Sequence, residues 1–353
     1  MQTTSHSLPI LESYPPCFRP NTQQSLQNVY NDDHTKNKIE NEQDQLPVID
    51  LEQINYDKLE EACKEWGIFR LVNHGIPLTL LTRLHEHIVR MFGLGFESKK
   101  DLFGSIPTSI MSYFYGTPAL TPSGDALYKK DQGTLIYNWV EGLNVPLSMD
   151  QPSHVDFHEQ PLLIHDMRLL IEEYGVHQAR IAKSIFSAMS QNLNLCDEHK
   201  GYMSPSTGQL RVYRYPRCLI DNPTKVWGME VHTDSSVVTI LNQYEVEGLQ
   251  ILSKDNAWID AKPIPNTLIV HLGDMMQAIS DDRYKSVKHR VKVNSENERI
   301  SMGYFVFPDH NCVIGSSVYK PFTYSDFRAQ VQQDIKTLGF KVGLSRFKVH
   351  TDS

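Results

Sequence analysis

Two side chains that could bind a metal ion, His232 and Asp234, stand one residue apart in the segment "MEVHTDSSVVTIL", residues 229–241. Side chains two residues apart in a β-strand point to the same face, so an imidazole and a carboxylate at these positions could hold one cation. The pair supplies only half of a metal site. A His-x-Asp triplet also arises by chance in solvated turns, so a further ligand must come from elsewhere in the chain.

His289, in "YKSVKHRVKV", is the candidate third ligand because it lies in a predicted strand of the β-rich second half of the chain. Two histidines and one carboxylate occupy three corners of an octahedron and leave three open, as in non-haem Fe(II) oxygenases. Ten residues later, Arg299 and Ser301 are again two apart. An arginine fork beside a hydroxyl suits bidentate binding of a carboxylate. The pattern therefore predicts a metal site that binds a keto-acid cosubstrate.

The composition is typical of a globular protein whose partner is a small molecule. The 353 residues carry a formal net charge of -8, whereas nucleic-acid binding requires a basic surface. The chain contains no run of 18 apolar residues and no signal-like start, so we expect a cytoplasmic, monomeric protein without a membrane partner. The five cysteines are far apart and form no Cys-x-x-Cys pair, which is typical of reduced intracellular thiols.

Changes in periodicity along the chain predict three parts. Residues 1–45 are expected to form a flexible leader, because most of them are polar or charged. Residues 46–200 are expected to form a helix-rich α/β part that includes a long helix over 162–189. Residues 201–353 contain many short strand patterns and a C-terminal helix with Ser325 as its N-cap, so they are expected to form the β-rich core.

The order of these motifs resembles that of the plant Fe(II)/2-oxoglutarate-dependent dioxygenases. His-x-Asp, a later histidine and Arg-x-Ser follow one another as in that family, together with "GIFRLVNHGIP", "RYP", "GLQIL" and "HLGD". The resemblance covers about residues 46–347. It implies a mainly β fold with flanking helices, in which the core is a double-stranded β-helix, also called a jelly roll, of the cupin-like type.

The resemblance also implies roles for individual residues. Fe(II) would be held by three ligands, His232, Asp234 and His289. The distal carboxylate of the cosubstrate 2-oxoglutarate would be held by Arg299, Ser301 and Tyr215. O2 would be the second cosubstrate and ascorbate the reductant. The family uses no catalytic side chain beyond the metal ligands.

Several residues near the motifs complicate this interpretation. In "RVYRYPRC", Tyr213 stands where the family usually has Asn, and Arg217 where it often has Pro. A phenol at 213 could narrow the cosubstrate site, reposition 2-oxoglutarate or mark an altered activity. His271, in the apolar segment "IVHLGD", could be mistaken for a ligand, and we interpret it as a hydrogen-bonded core residue. Val237 and Ile240 could shield the reactive centre or belong to the core.

Segments outside the motifs indicate the substrate. "YFYGTPALTPSG", "NWVEGLNVPL" and "FRAQVQQDIKTLGFKVGLSRF" most resemble the gibberellin 2-oxidase and gibberellin 20-oxidase-like branch. That resemblance implies 2-beta-hydroxylation of a gibberellin, which inactivates the hormone. Aromatic residues that could line the pocket are Tyr113, Phe114, Tyr115 and Trp139. A carboxylated substrate would also need a second cation besides Arg299. Two alternatives stay open: a flavonoid, alkaloid or steroid substrate, or a turnover-deficient binding protein of the same fold.

Overall fold

The computed structural model describes most of the chain between residues 46 and 349 and a short segment before it. The described residues are 11–19, 46–116, 129–131, 134–136, 138–147, 161–195, 201–204, 207–218 and 226–349. None of the helices in these ranges is long and apolar enough to cross a membrane.

Six α-helices lie within the described ranges. They are α1 (Tyr56–Glu65), α2 (Leu78–Phe92), α3 (Phe96–Gly104), α4 (Leu162–Leu193), α5 (Asp274–Ile279) and α6 (Tyr324–Leu338). The long helix predicted over 162–189 is therefore confirmed as α4.

Sixteen strands occur in the same ranges, most of them in the second half of the chain. The first eight are β1 (Val48–Asp50), β2 (Ile68–Val72), β3 (Ser112–Tyr115), β4 (Lys129–Asp131), β5 (Thr134–Ile136), β6 (Glu141–Leu147), β7 (Gly208–Tyr215) and β8 (Trp227–His232). The others are β9 (Val238–Asn242), β10 (Leu249–Leu252), β11 (Trp258–Asp260), β12 (Leu268–Leu272), β13 (His289–Lys292), β14 (Arg299–Val306), β15 (Val313–Ile314) and β16 (Phe322–Thr323).

Two sheets contain most of these strands. The larger sheet has eight strands in the order β1-β2-β12-β9-β14-β7-β6-β3, and the smaller has four in the order β11-β10-β13-β8. Neighbouring strands are antiparallel except for the parallel pair β1 and β2. The large sheet takes strands from both sides of residue 200, so the two predicted parts share one sheet. The domain boundary itself stays a prediction.

The two sheets pack face to face. One apolar cluster joins Leu241 and Ile269 of the large sheet to Leu249 and Ile251 of the small sheet. A second cluster joins aromatic side chains of β7 and β14 to the small sheet through Tyr213, Tyr215, Phe305, Met229 and Val291. Because side chains alternate along a strand, polar residues that share these faces are enclosed between the sheets.

The other face of the large sheet is covered by helices. Apolar positions of α4 pack in one cluster with Leu143, Leu210 and Ile240 of the sheet. Gly175 allows the helix to lie close to the sheet, because a Cβ there would lie 2.9 Å from the Leu147 side chain. The amphipathic stripe of α4 thus supports the sheet that carries part of the candidate site.

The N-terminal cap of α6 differs from the prediction. Thr323 is the N-cap: its side chain accepts a hydrogen bond from the Asp326 backbone N–H, and the Asp326 carboxylate accepts one from the Thr323 backbone. Ser325 lies inside the first turn instead. The prediction of Ser325 is wrong because Thr323 has the extended backbone and the acidic partner three residues later that form a capping box.

Residues 11–19 are packed against the core. Tyr14 and Phe18 are buried, and the Phe18 ring lies 4.6 Å from that of Trp139. The expectation of a flexible leader therefore does not hold for this segment. Residues 1–10 and 20–45 of the predicted leader lie outside the described residues.

A buried ion network fixes this segment to the large sheet. The Glu141 carboxylate accepts hydrogen bonds from Lys99 Nζ at 2.6 Å and from Arg214 Nη1 at 3.0 Å. Lys99 Nζ also donates to the Ser13 carbonyl at 2.7 Å. Arg214 Nη2 donates to Glu298 at the edge of the network, at 2.8 Å.

Replacing Glu141 by glutamine is expected to lower the free energy of unfolding by about 3–5 kcal/mol, since removal of one partner leaves buried cations undercompensated. Urea unfolding followed by circular dichroism measures the change. Glu298→Gln is the matched control, because the Glu298 side chain is 24% exposed and its loss should cost less. An equal or smaller loss for Glu141→Gln would contradict this assignment.

Candidate active site

His232 and Asp234 come from the end of a strand and the turn that follows. β8 ends at His232, and Asp234 lies in the turn that leads to β9. The prediction that His232 and Asp234 share one face of a single strand is therefore wrong. The chain leaves the small sheet after His232, so Asp234 is not part of the strand. The Asp274 backbone N–H donates to the Asp234 carbonyl at 2.8 Å and fixes the turn.

The three predicted ligands lie together between the sheets. His289 begins β13 and pairs in register with His232, so that the two ring centroids are 4.2 Å apart. Asp234 Oδ1 is 3.7 Å from Nε2 of each histidine. One ligand atom from each residue lies within 4.8 Å of the others, an arrangement compatible with one shared ion.

Hydrogen bonds orient both imidazoles. His232 Nδ1 is 2.8 Å from the Glu230 carbonyl, and His289 Nδ1 is 3.1 Å from the Val287 carbonyl. A carbonyl can only accept, so Nδ1 carries the proton and the Nε2 lone pair is available for a metal. Burial lowers the pKa of both rings, most strongly that of His289, which favours the neutral form that binds metals.

The Asp234 carboxylate is also held in an ionised, oriented state. Its Oδ2 accepts a hydrogen bond from Thr239 at 2.7 Å, and Thr239 is in turn 2.8 Å from Ser236. Burial raises the pKa of Asp234, but the neighbouring imidazoles, led by that of His289, lower it by more, so the pKa lies well below its usual range. Oδ1 therefore remains available for an ion. Sequence reasoning missed Thr239, although a hydroxyl within the apolar run "VVTIL" was a usable signal.

Lys341, which sequence reasoning also missed, connects the segment after α6 to the turn that contains Asp234. Its Nζ donates to the Thr233 carbonyl at 2.8 Å and to Ser235 Oγ at 2.9 Å. The same ammonium forms an ion pair with Asp274 at 2.6 Å. No local pattern distinguishes Lys341 from a solvated lysine.

A carboxylate-binding group lies on the facing large sheet. Arg299 is 1% exposed, and its Nη1 donates to Ser301 Oγ at 3.1 Å. Its other donors reach the Val246 carbonyl and Gln243 Oε1, both at 3.2 Å, and no described carboxylate pairs with it. Burial raises the pKa of Tyr215, while Arg299 and Ser301 lower it, which places the phenol beside both groups. Gln243 was not predicted.

These groups face one cavity of about 1170 Å³. The predicted ligands and the predicted carboxylate-binding residues all line it. Its Tyr and Phe lining consists of Tyr213, Tyr215, Phe305, Phe307, Tyr319, Tyr324 and Phe340. Tyr113, Phe114, Tyr115 and Trp139 do not line this cavity, and Phe114 and Trp139 belong to apolar clusters of the core instead. Val237 and Ile240 lie in the core behind the large sheet, so they do not shield the site.

Comparison with known proteins identifies the family. A family model described as the 2OG-Fe(II) oxygenase superfamily matches residues 206–308, and one described as the non-haem dioxygenase in morphine synthesis N-terminal matches residues 46–158. Gibberellin 2-beta-dioxygenase 8 of Arabidopsis thaliana is 36% identical over 323 residues, which cover 88% of this chain and 88% of the relative. The chain belongs to the 2OG-Fe(II) oxygenase superfamily.

Other relatives of this oxygenase differ in their named activities. Flavonol synthase/flavanone 3-hydroxylase of Petunia hybrida is 34% identical over 279 residues, covering 77% of this chain and 76% of the relative. The crystal structure of JOX2 in complex with 2OG, Fe and JA superposes with a TM-score of 0.70 at 28% identity, covering 86% of this chain and 89% of JOX2.

The predicted family and the double-stranded β-helix core are thereby confirmed. The oxygenase is a 2-oxoglutarate- and Fe(II)-dependent dioxygenase with a small-molecule substrate. Its residues fit both groups: two imidazole lone pairs and a carboxylate suit Fe(II), and the buried Arg299, which has no described acidic partner, suits a carboxylate. The roles of individual residues remain a prediction.

His271 of the oxygenase lies next to two of the predicted metal ligands, which its interpretation as a core residue did not predict. It is 2% exposed on β12, with Nδ1 3.6 Å from Asp234 Oδ2 and its ring 4.7 Å from that of His289. Neither ring nitrogen has a hydrogen-bond partner among the described residues. His271 is therefore buried in the core, as interpreted, with the Asp234 carboxylate as its polar neighbour.

His271→Asn is expected to leave the metal in place, because His271 contacts the side of Asp234 opposite the proposed ligand atom. Iron retained after gel filtration, measured by elemental analysis, should match that of the unmodified protein within about twofold. His289→Ala serves as the comparison and should lose iron. Iron loss in His271→Asn with retention in His289→Ala would reverse the ligand assignment.

Tyr213 occupies space between the sheets where the family usually has Asn. It is 5% exposed, it lies opposite Ser301 in the strand register, and its ring is 6.2 Å from Phe114 and 6.1 Å from Tyr215. The phenol is therefore part of the wall beside the cosubstrate site.

Tyr213→Asn is expected to raise substrate-independent succinate release several-fold, because a smaller polar residue admits water beside the cosubstrate. Succinate formed without added substrate is the measurement. Tyr213→Phe preserves the volume and should match the unmodified oxygenase. If the Phe variant releases as much succinate as the Asn variant, the role of the ring as a wall is contradicted.

Proposed function

We propose that this dioxygenase hydroxylates a gibberellin at C2, on the β face, and thereby inactivates the hormone. The observation that carries the proposal is the 36% identity to a gibberellin 2-beta-dioxygenase over 88% of both chains. The cavity supports it, because about 1170 Å³ is enough for a fused-ring substrate beside the cosubstrate.

In this proposal each group of the cavity has one role. Fe(II) would be held by His232, Asp234 and His289, and the distal carboxylate of 2-oxoglutarate would be held by Arg299, Ser301 and Tyr215. With O2 and 2-oxoglutarate, the iron supplies an oxidation that inserts one oxygen atom into a substrate C–H bond and yields succinate and CO2. Ascorbate keeps the iron ferrous.

The side chains contribute orientation and exclusion of water. The backbone carbonyls of Glu230 and Val287 keep the protons of the His232 and His289 imidazoles on Nδ1. Thr239 donates a hydrogen bond that orients the Asp234 carboxylate. Tyr213 and Phe305, which belong to the apolar cluster between the sheets, are buried and form an apolar part of the cavity wall. Preorganised groups of this kind need no rearrangement when the substrate enters.

A flavonoid is the second candidate substrate, supported by the 34% identity to the Petunia flavonol synthase over 77% of this chain. Alkaloids and steroids are tested alongside it. The proposal also includes a cytoplasmic, monomeric protein without a membrane partner. The net charge of -8 supports the further expectation that it does not bind nucleic acid.

The test is a product screen with purified protein, Fe(II), ascorbate and 2-oxoglutarate. Gibberellins, flavonoids, alkaloids and steroids are incubated separately, and hydroxylated products and succinate are measured by mass spectrometry. We expect a 2-hydroxylated gibberellin. Its amount should equal the increase in succinate that the gibberellin causes. Oxidation of a flavonoid with no oxidised gibberellin would replace the first candidate. Binding of 2-oxoglutarate with no succinate under any condition would indicate a turnover-deficient binding protein.

A further inference from the structure

Six lysine and arginine side chains among the described residues line the cavity. They are Arg211, Arg299, Arg328, Lys288, Lys341 and Lys348. Arg299 is already assigned to the cosubstrate. Lys341 pairs with Asp274, and Lys348 lies 3.7 Å from Asp282. Three cations are thus left without a described acidic partner, and two of them are arginines.

Arg211 is placed on the face of β7 that looks into the cavity. It lies two residues from Tyr213 and four from Tyr215, so alternation puts all three side chains on one face. In the strand register Arg211 is opposite Gly303, whereas Tyr215 is opposite Arg299. At about 3.3 Å per residue, the Arg211 backbone lies about 13 Å from that of Tyr215, which separates it from the cosubstrate anchor.

The guanidinium of Arg211 has unused hydrogen-bonding capacity. Its Nη2 makes a long contact of 3.4 Å with Gln209 Oε1, and its carbon lies 5.2 Å from the centre of the Phe305 ring. Its Nε is buried and has no hydrogen-bond partner in the described part of the chain. A buried charged donor of this kind is stabilised when a ligand supplies the acceptor.

Arg328, on α6, also lines the cavity. It is exposed, and none of the described carboxylates forms an ion pair with it. Tyr324, four residues earlier on α6, lies against Phe307 with the ring centroids 4.6 Å apart. Burial raises the pKa of Tyr324 to about 12, while Arg328 and Arg211 both lower it. Phe305, which Arg211 contacts, and Phe307, which Tyr324 contacts, belong to one apolar cluster, so the two arginines flank the same group of rings.

We propose that Arg211 and Arg328 bind a carboxylate of the substrate, so that the dioxygenase selects apolar molecules that carry an acid group. The inference rests on the proposed function and supplies the second cation that a gibberellin requires. Two arginine forks offer a carboxylate paired hydrogen bonds. The Phe305 and Phe307 rings suit the apolar body of the substrate, and the predicted metal ligands line the same cavity.

The test compares a gibberellin that carries a single carboxyl group with its methyl ester, in the unmodified protein and in the variants Arg211→Gln and Arg328→Gln. The unmodified protein is expected to show a KM at least about tenfold lower for the acid than for the ester. Each arginine variant should raise the KM for the acid about tenfold or more and leave unchanged the KM for the ester and for 2-oxoglutarate. The unchanged ester value also shows that the variant is folded.

Two lysine variants are the controls. Lys336→Gln removes one exposed charge from the same helix, outside the cavity, and should change no KM. Lys288→Gln removes the remaining unpaired cavity cation, which is exposed beside His289. The inference is overturned if Lys288→Gln is the variant that removes the preference for the acid, or if the arginine variants affect acid and ester equally.

Failure of the inference can be distinguished from failure of the proposed function. Hydroxylation of a gibberellin that is insensitive to both arginine substitutions would overturn the inference alone. If another carboxylic acid is the substrate and its KM depends on Arg211, the gibberellin proposal falls and the inference stands. If no compound is turned over, the affinities of the acid and the ester are measured by calorimetric titration of the protein loaded with Mn(II) and 2-oxoglutarate. Tighter binding of the acid would support the inference, and equal affinity for the two would overturn it.

Discussion

Asp234→Ala is expected to abolish iron retention and turnover together. The substitution removes the only carboxylate within reach of both His232 Nε2 and His289 Nε2, at 3.7 Å from each, among the described residues. Loss of a group that merely supports a ligand typically costs 10- to 100-fold in metal affinity. Loss of a ligand should therefore reduce affinity by more than about 100-fold.

Iron content after anaerobic loading and gel filtration, and succinate formation from 2-oxoglutarate, measure the two effects. Asp255→Asn is the control, because Asp255 lies in an exposed turn and should behave as the unmodified protein. Stoichiometric iron and normal succinate formation in Asp234→Ala would show that the carboxylate is not a ligand.

Arg299→Ala is expected to raise the 2-oxoglutarate requirement while the iron remains bound. Arg299 is 1% exposed, so its contact with a carboxylate is shielded from water. Truncation of one partner of such a buried charge pair costs about 2–5 kcal/mol, which corresponds to at least about a 30-fold rise in the KM for 2-oxoglutarate. Saturating 2-oxoglutarate should restore much of the turnover.

Arg299→Lys separates charge from geometry. Lysine keeps the positive charge but loses the two-pronged donor arrangement, so its KM should fall between those of the unmodified protein and the Ala variant. Steady-state succinate assays at varied 2-oxoglutarate provide the values. Loss of iron in Arg299→Ala with an unchanged 2-oxoglutarate requirement would contradict the role of Arg299.

The sequence was most informative where function depends on a few residue types at short spacing. His232, Asp234 and His289 were identifiable because metal coordination restricts the side chains that can serve. The reason given for their proximity failed, since β8 ends at His232 and the turn that follows positions Asp234. Residue identity could thus be predicted although the local backbone could not.

Residues that enclose or support the site were much harder to predict. Tyr324 and Arg328 reach the cavity only because α6 packs across its end, and this long-range contact leaves no trace in local periodicity. Tyr113 looked equally suitable from the sequence, but its hydroxyl is 2.5 Å from the buried Glu141 carboxylate. Burial in a polar network and exposure to a cavity produce similar aromatic patterns in a sequence.

The position of His271 shows the same limit for a single residue. An apolar strand around a histidine predicts burial correctly, and His271 is 2% exposed. The same pattern does not show which side chains contact the histidine. In the structure these are Asp234 and His289. Contacts between strands distant in sequence require the three-dimensional arrangement.

A crystal structure of the anaerobic complex with Mn(II) and 2-oxoglutarate tests the central claim most directly. We expect one ion bonded to His232 Nε2, Asp234 Oδ1 and His289 Nε2 at about 2.0–2.2 Å, with the distal carboxylate of 2-oxoglutarate on the Arg299 guanidinium. An ion bonded to His271 in place of His289, or a 2-oxoglutarate carboxylate bound away from Arg299, would contradict the account.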